Sequence, residues 1–120
     1  MSMDYTNRTH EFGIVDTPSD DDVLGYVWNK THKFVLIGFQ VLVITQGAQA
    51  ASAIEFYNVT DTTQLYSLVI GTSAANTMLE GHVSEALAVV SPAKKIAIRV
   101  VTTDASIVYH WKAFWSAGLN

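Results

Sequence analysis

The stretch Lys33 to Thr45, KFVLIGFQVLVIT, constrains this chain more than any other. Its β-branched and aromatic residues favour an extended strand, and successive side chains of a strand point to opposite faces. By parity, Val35, Ile37, Phe39, Val41 and Val43 share one face, and Phe34, Leu36, Leu42 and Ile44 the other, broken by Gly38 and Gln40. A strand at the surface of a two-layer protein needs only one apolar face. Here both faces ask for cover, one from the core of the chain's own domain and the other from something else.

The totals sharpen that demand. At 120 residues the chain has the length of one domain with a real core. Apolar residues make up 49% and charged residues 15%, well below the roughly 25% charge of an average soluble domain. There is no cysteine, which excludes disulfides, thiolate metal sites and cysteine nucleophiles. The longest apolar run, Phe34 to Ile44, is shorter than the roughly 20 residues a membrane-spanning helix needs, so no membrane partner is expected. The opening MSMDYTNRTHEFG lacks the basic start and apolar centre of a signal peptide, so an intracellularly made, soluble product is expected. Residues 1–32 carry six acids against two bases and the remainder carries five of each. No basic field exists for a polyanion, and nucleic-acid binding is not expected.

Residues 1–22 show neither a period of 2 nor one of 3.6 and are read as an N-terminal arm, with Tyr5, Phe12 and Ile14 as the side chains that would anchor it on a partner. Within it, Thr17-Pro18-Ser19-Asp20 has the chemistry of a short helix start, with Thr17 as N-cap. From Val23 on, strand-like segments alternate with turn-rich linkers: 23–29, 33–45, 53–59, 65–70, 85–90, 95–103 and 106–115. Seven or eight strands without a convincing amphipathic helix predict an all-β fold, an antiparallel β-sandwich of jelly-roll type over residues 23–120. Two hairpins are expected: 53–59 with 65–70, where Asp61 caps the turn, and 95–103 with 106–115 through Thr-Asp-Ala.

Motifs for catalysis are missing. No GxSxG, phosphate loop or Ser/His/Asp set stands at a usable spacing. His10, His32, His82 and His110 are never two or four residues apart, so no strand or helix pairs them as ligands. Glu80, His82 and Glu85 come nearest to a ligand set, and with His110 they are the residues an enzyme reading would need. Glu55 and Glu85 are candidate paired carboxylates only if the fold brings them together. Asp20 to Asp22 lack the alternating spacing of a calcium loop. No enzyme, metal or cofactor is expected. The sequons at Asn7, Asn29 and Asn58 read as turn chemistry.

The final strand places Tyr109, Trp111 and Trp115 on one face. This row is either a stacking platform for a sugar ring, joined by Trp28, or core and subunit interface. The two-faced run favours association: Val35, Ile37, Phe39 and Val41 would form an interface with a sister chain. A short, cysteine-free, β-rich chain with an arm, the segment IEFYNVTDTTQLYS and an aromatic last strand resembles the small sandwich proteins of tailed-phage virions, the head decoration (cement) proteins and tail-fibre knobs. That resemblance implies a structural protein of the capsid surface, made in the host cytoplasm. It would form a homo-oligomer, a trimer by preference, bound to the major capsid protein. A receptor- or glycan-binding knob is the alternative, and a small jelly-roll enzyme the third.

Overall fold

The computed structural model describes residues 8–16, 18–28, 32–102 and 106–119. Two antiparallel sheets pack face to face, as the all-β pattern predicts. In chain order the elements are β1 (Arg8–Asp16), β2 (Val23–Trp28), β3 (Lys33–Thr45), β4 (Ala53–Asn58), β5 (Thr63–Val69), β6 (Met78–His82), a single helical turn α1 (Glu85–Ala88), β7 (Val89–Val90), β8 (Lys95–Val101) and β9 (Val108–Leu119). One sheet runs β1-β9-β3-β6, with β7 pairing the start of β3 alongside β6. The other runs β2-β8-β4-β5. Between them Phe34, Leu36, Phe39, Val41 and Val43 of the first sheet meet Ile54, Phe56, Ile96, Ile98 and Val100 of the second. Phe39 and Phe56 stack across the layers with ring centroids 4.2 Å apart.

The puzzle of β3 resolves in its backbone. Against β9 the register shifts between Leu36 and Gly38, a bulge that reverses the parity of all that follows. Phe34 and Leu36 therefore face the core together with Phe39, Val41 and Val43, while Val35, Ile37, Gln40, Leu42 and Ile44 face outward. This corrects the assignment of Val35, Ile37, Phe39 and Val41 to one interface face. Phe39 and Val41 lie inside the domain, and Val35 and Ile37 are half-buried on the outside. Gly38 is what lets the strand switch, because a Cβ there would collide with the Gly81 carbonyl oxygen of β6.

Several boundaries differ from expectation for identifiable reasons. The segment expected to be an arm contributes β1, paired with β9 from Arg8 to Asp16. Its exposed residues are His10, Phe12, Ile14 and Asp16, while Glu11, Gly13 and Val15 turn inward; apolar Phe12 and Ile14 outside and Glu11 inside hide the strand. The Thr17 cap and Tyr5 lie outside the described residues. At Ser19 to Asp22 the chain makes a turn in place of a helix, closed by the Ser19 amide donating to Asp22 Oδ2 at 2.8 Å and the Asp22 amide donating to the Ser19 carbonyl at 3.2 Å. The β4–β5 hairpin forms as expected. The β8–β9 hairpin does not, since β2 and β4 occupy both edges of β8 and the chain crosses to the other sheet. Glu85-Ala86-Leu87-Ala88 forms a helical turn because all four are strong helix formers.

Candidate functional site

The outer face of the five-stranded sheet is organised in rows by strand register. His10, Phe114, Gly38 and His82 form one row across β1, β9, β3 and β6; Phe12, Lys112, Gln40 and Glu80 form the next; Ile14, His110, Leu42 and Met78 the third. Outward-facing large apolar side chains are unusually open here: Phe12 is 69% exposed, Ile14 60% and Met78 55%. They rim a shallow depression of about 230 Å³ between Phe12, Gln40, Leu42, Met78, His110 and Lys112. His10 lies between two rings, its centroid 6.1 Å from both Phe12 and Phe114.

Charge on this face is sparse and specifically placed. The amide of Gln40 donates to Glu80 Oε1 at 3.2 Å. Lys112 is exposed and makes no ion pair among the described residues. Apolar surface with few charges, a mixed rim and a central dip is what a protein–protein contact patch presents, whereas a monomer normally keeps contiguous apolar patches small.

The opposite face of the sandwich behaves differently at its centre, where its own side chains close over β4 and β8, while Tyr26 and Trp28 of β2 and Val69 of β5 stay open along its edges. The Glu55 carboxylate is buried on the outside of β4 and is held by the Arg99 Nε at 2.9 Å, a terminal Arg99 nitrogen at 2.8 Å and the Gln64 amide at 2.8 Å. The Arg99 guanidinium lies 3.7 Å from the Tyr57 ring centroid and also reaches Asp21 at 3.3 Å. Lys95 sits 4.1 Å from the Tyr26 ring and 5.5 Å from that of Trp28. These cation–π and ionic contacts leave Ala97, between Tyr26 and Tyr57 in register, with no exposed surface.

Of the sequence-derived candidates, Tyr109 and Trp111 are in the core at 1% and 4% exposure, which corrects their reading as a sugar platform. They turn inward because the bulged register of β3 sets Val41 and Val43, both core residues, opposite them. Trp115 is half-buried opposite Leu36, leaving Trp28, half exposed beside Lys95, as the remaining open candidate of that set. Glu80 and His82 share the outer side of β6, but His110 stands two strands away and Glu85 belongs to α1. No group of three or more metal-ligating residues occurs among the described residues. Glu55 and Glu85 are not a pair, since Glu55 is taken by Arg99 and Gln64. The Asn58 side chain is tied to Asp61, its amide donating to Oδ2 at 3.1 Å and its carbonyl accepting from the Asp61 amide at 3.0 Å. Asp61 also pairs with Lys94 at 2.8 Å, so Asn58 caps the turn and Asp61 anchors it.

What sequence reasoning missed is the contribution of β1 and β6 to this face. Met78-Leu79-Glu80-Gly81-His82 does alternate, but Gly81 stands where an apolar residue would have marked the inner side. A Cβ at Gly81 would collide with the Tyr66 hydroxyl beneath it. Among the described residues no helix is long and apolar enough to cross a membrane. Comparison with known proteins adds no relative: no family model matches the chain, and no curated protein or solved structure matches it.

Proposed function

We propose that this chain is a structural binding module that acts by covering surface: a homo-oligomeric decoration protein that docks on a capsid and stabilises it. The observation that carries the reading is the contrast between the two outer faces. One is closed at its centre by Arg99 and Glu55, with Tyr26, Trp28 and Val69 open only along its edge strands, and the other keeps Phe12, Ile14 and Met78 open around a central depression. The mechanism is linkage, since a ligand that binds the assembled shell and not its separated subunits stabilises the shell by RT ln(1 + [L]/Kd). Self-association and the major capsid protein are the two contacts this requires, with the virion surface as the location; the sequence resemblance points to a trimer. No catalytic step belongs to this reading.

Co-sedimentation tests it. Incubated with purified tailed-phage capsids stripped of their own decoration proteins, the wild-type chain should pellet with a cognate shell and raise its melting temperature, and Phe12→Asp should stay in the supernatant. A wild-type chain that pellets with none of a broad panel overturns the reading. A glycan-binding knob is the second reading, favoured by the half-exposed Tyr26 and Trp28 on β2. Saturable quenching of tryptophan fluorescence by an oligosaccharide would support it, and silence across a sugar panel would remove it.

A further inference from the structure

The outer face of the five-stranded sheet is self-complementary in charge, and this selects both its occupant and the symmetry of the contact. We propose that a second copy of this chain covers the face through a two-fold axis running along β3, with Lys112 of each copy paired to Glu80 of the other. The inference rests on the proposed function in taking the chain as homo-oligomeric and this face as a contact surface, and it replaces the trimer with a two-fold pair.

Lys112 and Glu80 lie in one register row, one strand to either side of Gln40, about 10 Å apart at two strand spacings. That distance and the intervening Gln40 keep them from pairing within one chain. A two-fold contact between flat faces is isologous, so the surface must match itself after rotation. Rotation about an axis along β3 brings β9 of one copy over β6 of the other. Lys112 then meets Glu80 twice, His110 meets Met78, Phe114 meets His82, and Leu42 meets its own counterpart on the axis. An axis along the Lys112–Gln40–Glu80 row would instead set lysine on lysine and glutamate on glutamate. An axis between β9 and β3 would set Lys112 over Gln40 and Glu80 over Phe12, leaving both charges desolvated without a partner, which is costly. Gln40 occupies Glu80 Oε1, and the other carboxylate oxygen remains to accept from the second copy's lysine. In this arrangement β1 lies beyond the edge of the partner's β6. Phe12 and Ile14, the two most exposed large apolar residues of the face, stay open at both ends of the pair for a further protein.

Light scattering coupled to size exclusion should give a mass near twice the 13.1 kDa of one chain. Lys112→Glu and Glu80→Lys should each weaken the dimer about a hundredfold, since symmetry applies each change twice, and the double variant should recover most of the affinity. Both positions are exposed, so an unchanged far-ultraviolet circular dichroism spectrum and a cooperative melt of each dissociated variant will establish that it folds, its Tm lowered only by loss of the dimer. A wild-type trimer or a persistent monomer overturns the two-fold, and weak single variants without recovery in the double variant overturn the Lys112–Glu80 register. A monomer that still pellets with capsids would sink this inference while leaving decoration standing. A charge-rescued dimer that never pellets would do the reverse.

Discussion

Arg99 grips a single oxygen of Glu55 with two of its nitrogens, at 2.9 Å and 2.8 Å, on the outside of a sheet where solvent would be expected. Glu55 is 2% exposed, so the guanidinium takes the place of the water its carboxylate gives up. The strands place the pair directly opposite one another, Glu55 of β4 in register with Arg99 of β8, and Tyr57 closes over the guanidinium. The consequence is a sheet face whose centre is closed by its own side chains, with apolar exposure left to the edge strands at Tyr26, Trp28 and Val69.

Arg99→Met should therefore destabilise the fold by about 3 kcal/mol, because removing one partner strands a buried carboxylate with Gln64 alone. Urea unfolding followed by tryptophan fluorescence measures it. The double variant with Glu55→Met should regain much of the loss, as apolar replacement of both partners removes the unpaired charge. If the double variant is no better than the single one, the loss comes from packing rather than from the stranded charge.

Glu11 faces inward on β1, toward Gly25 of the opposite sheet, where a Cβ would collide with its carboxylate. Burial raises its carboxyl above the ordinary 4.5. A raised folded pKa means that the stabilising contribution is fully present below the unfolded value and is lost as pH rises through the folded one. Glu11→Gln should remove this loss, so the variant's stability, relative to wild type, should improve between pH 4 and pH 7. Paired thermal melts across that range check it, and a ratio independent of pH would count against the burial of Glu11.

The architecture was legible in the sequence where periodicity and turn chemistry agreed, as in β3, β8 and the β4–β5 hairpin closed at Asn58 and Asp61. It was illegible where one residue inverted the local rule. Gly38 reverses the parity of β3, so that side chains read as two faces converge on one core, and no count of alternation detects a register shift made against Phe114 and Trp115, near the other end of the chain. Phe12 and Ile14 point outward and Glu11 inward, so β1 reads as an arm. The aromatic row of β9 was visible, but which side of the sheet it faced depended on β3. The apolar outer face of the five-stranded sheet was legible only as an excess of apolar residues, because its rows join β1, β9, β3 and β6 from both ends of the chain.

Tyr109 is 1% exposed and its hydroxyl has no hydrogen-bond partner among the described residues. Burial pushes its phenol well above the ordinary 10.0. An unsatisfied buried hydroxyl costs about 1 to 3 kcal/mol, so Tyr109→Phe, which keeps the ring, should stabilise the domain by about 1 kcal/mol and raise Tm by about 4 °C. The same raised pKa makes the wild type lose stability as pH climbs above 10, and the Phe variant should resist alkali better. A lower Tm for Tyr109→Phe would mean that the hydroxyl has a partner after all.

Gly38 carries the final prediction because the bulge it permits decides which side chains of β3 reach the core. A methyl group there would strike the Gly81 carbonyl, which belongs to a rigid strand and cannot rotate aside. Gly38→Ala should cost about 3 kcal/mol, in the range of the larger single-residue effects. The loss should concentrate at the edge: amide exchange of residues 78–82 should accelerate while that of β4 and β8 stays protected. If β6 separates, Met78 and Glu80 leave the face, and the variant should also lose the association that Lys112 and Glu80 are proposed to direct. Uniform exchange throughout the domain would instead mean that the bulge holds the whole core in register, and that β6 has no independent stability to lose.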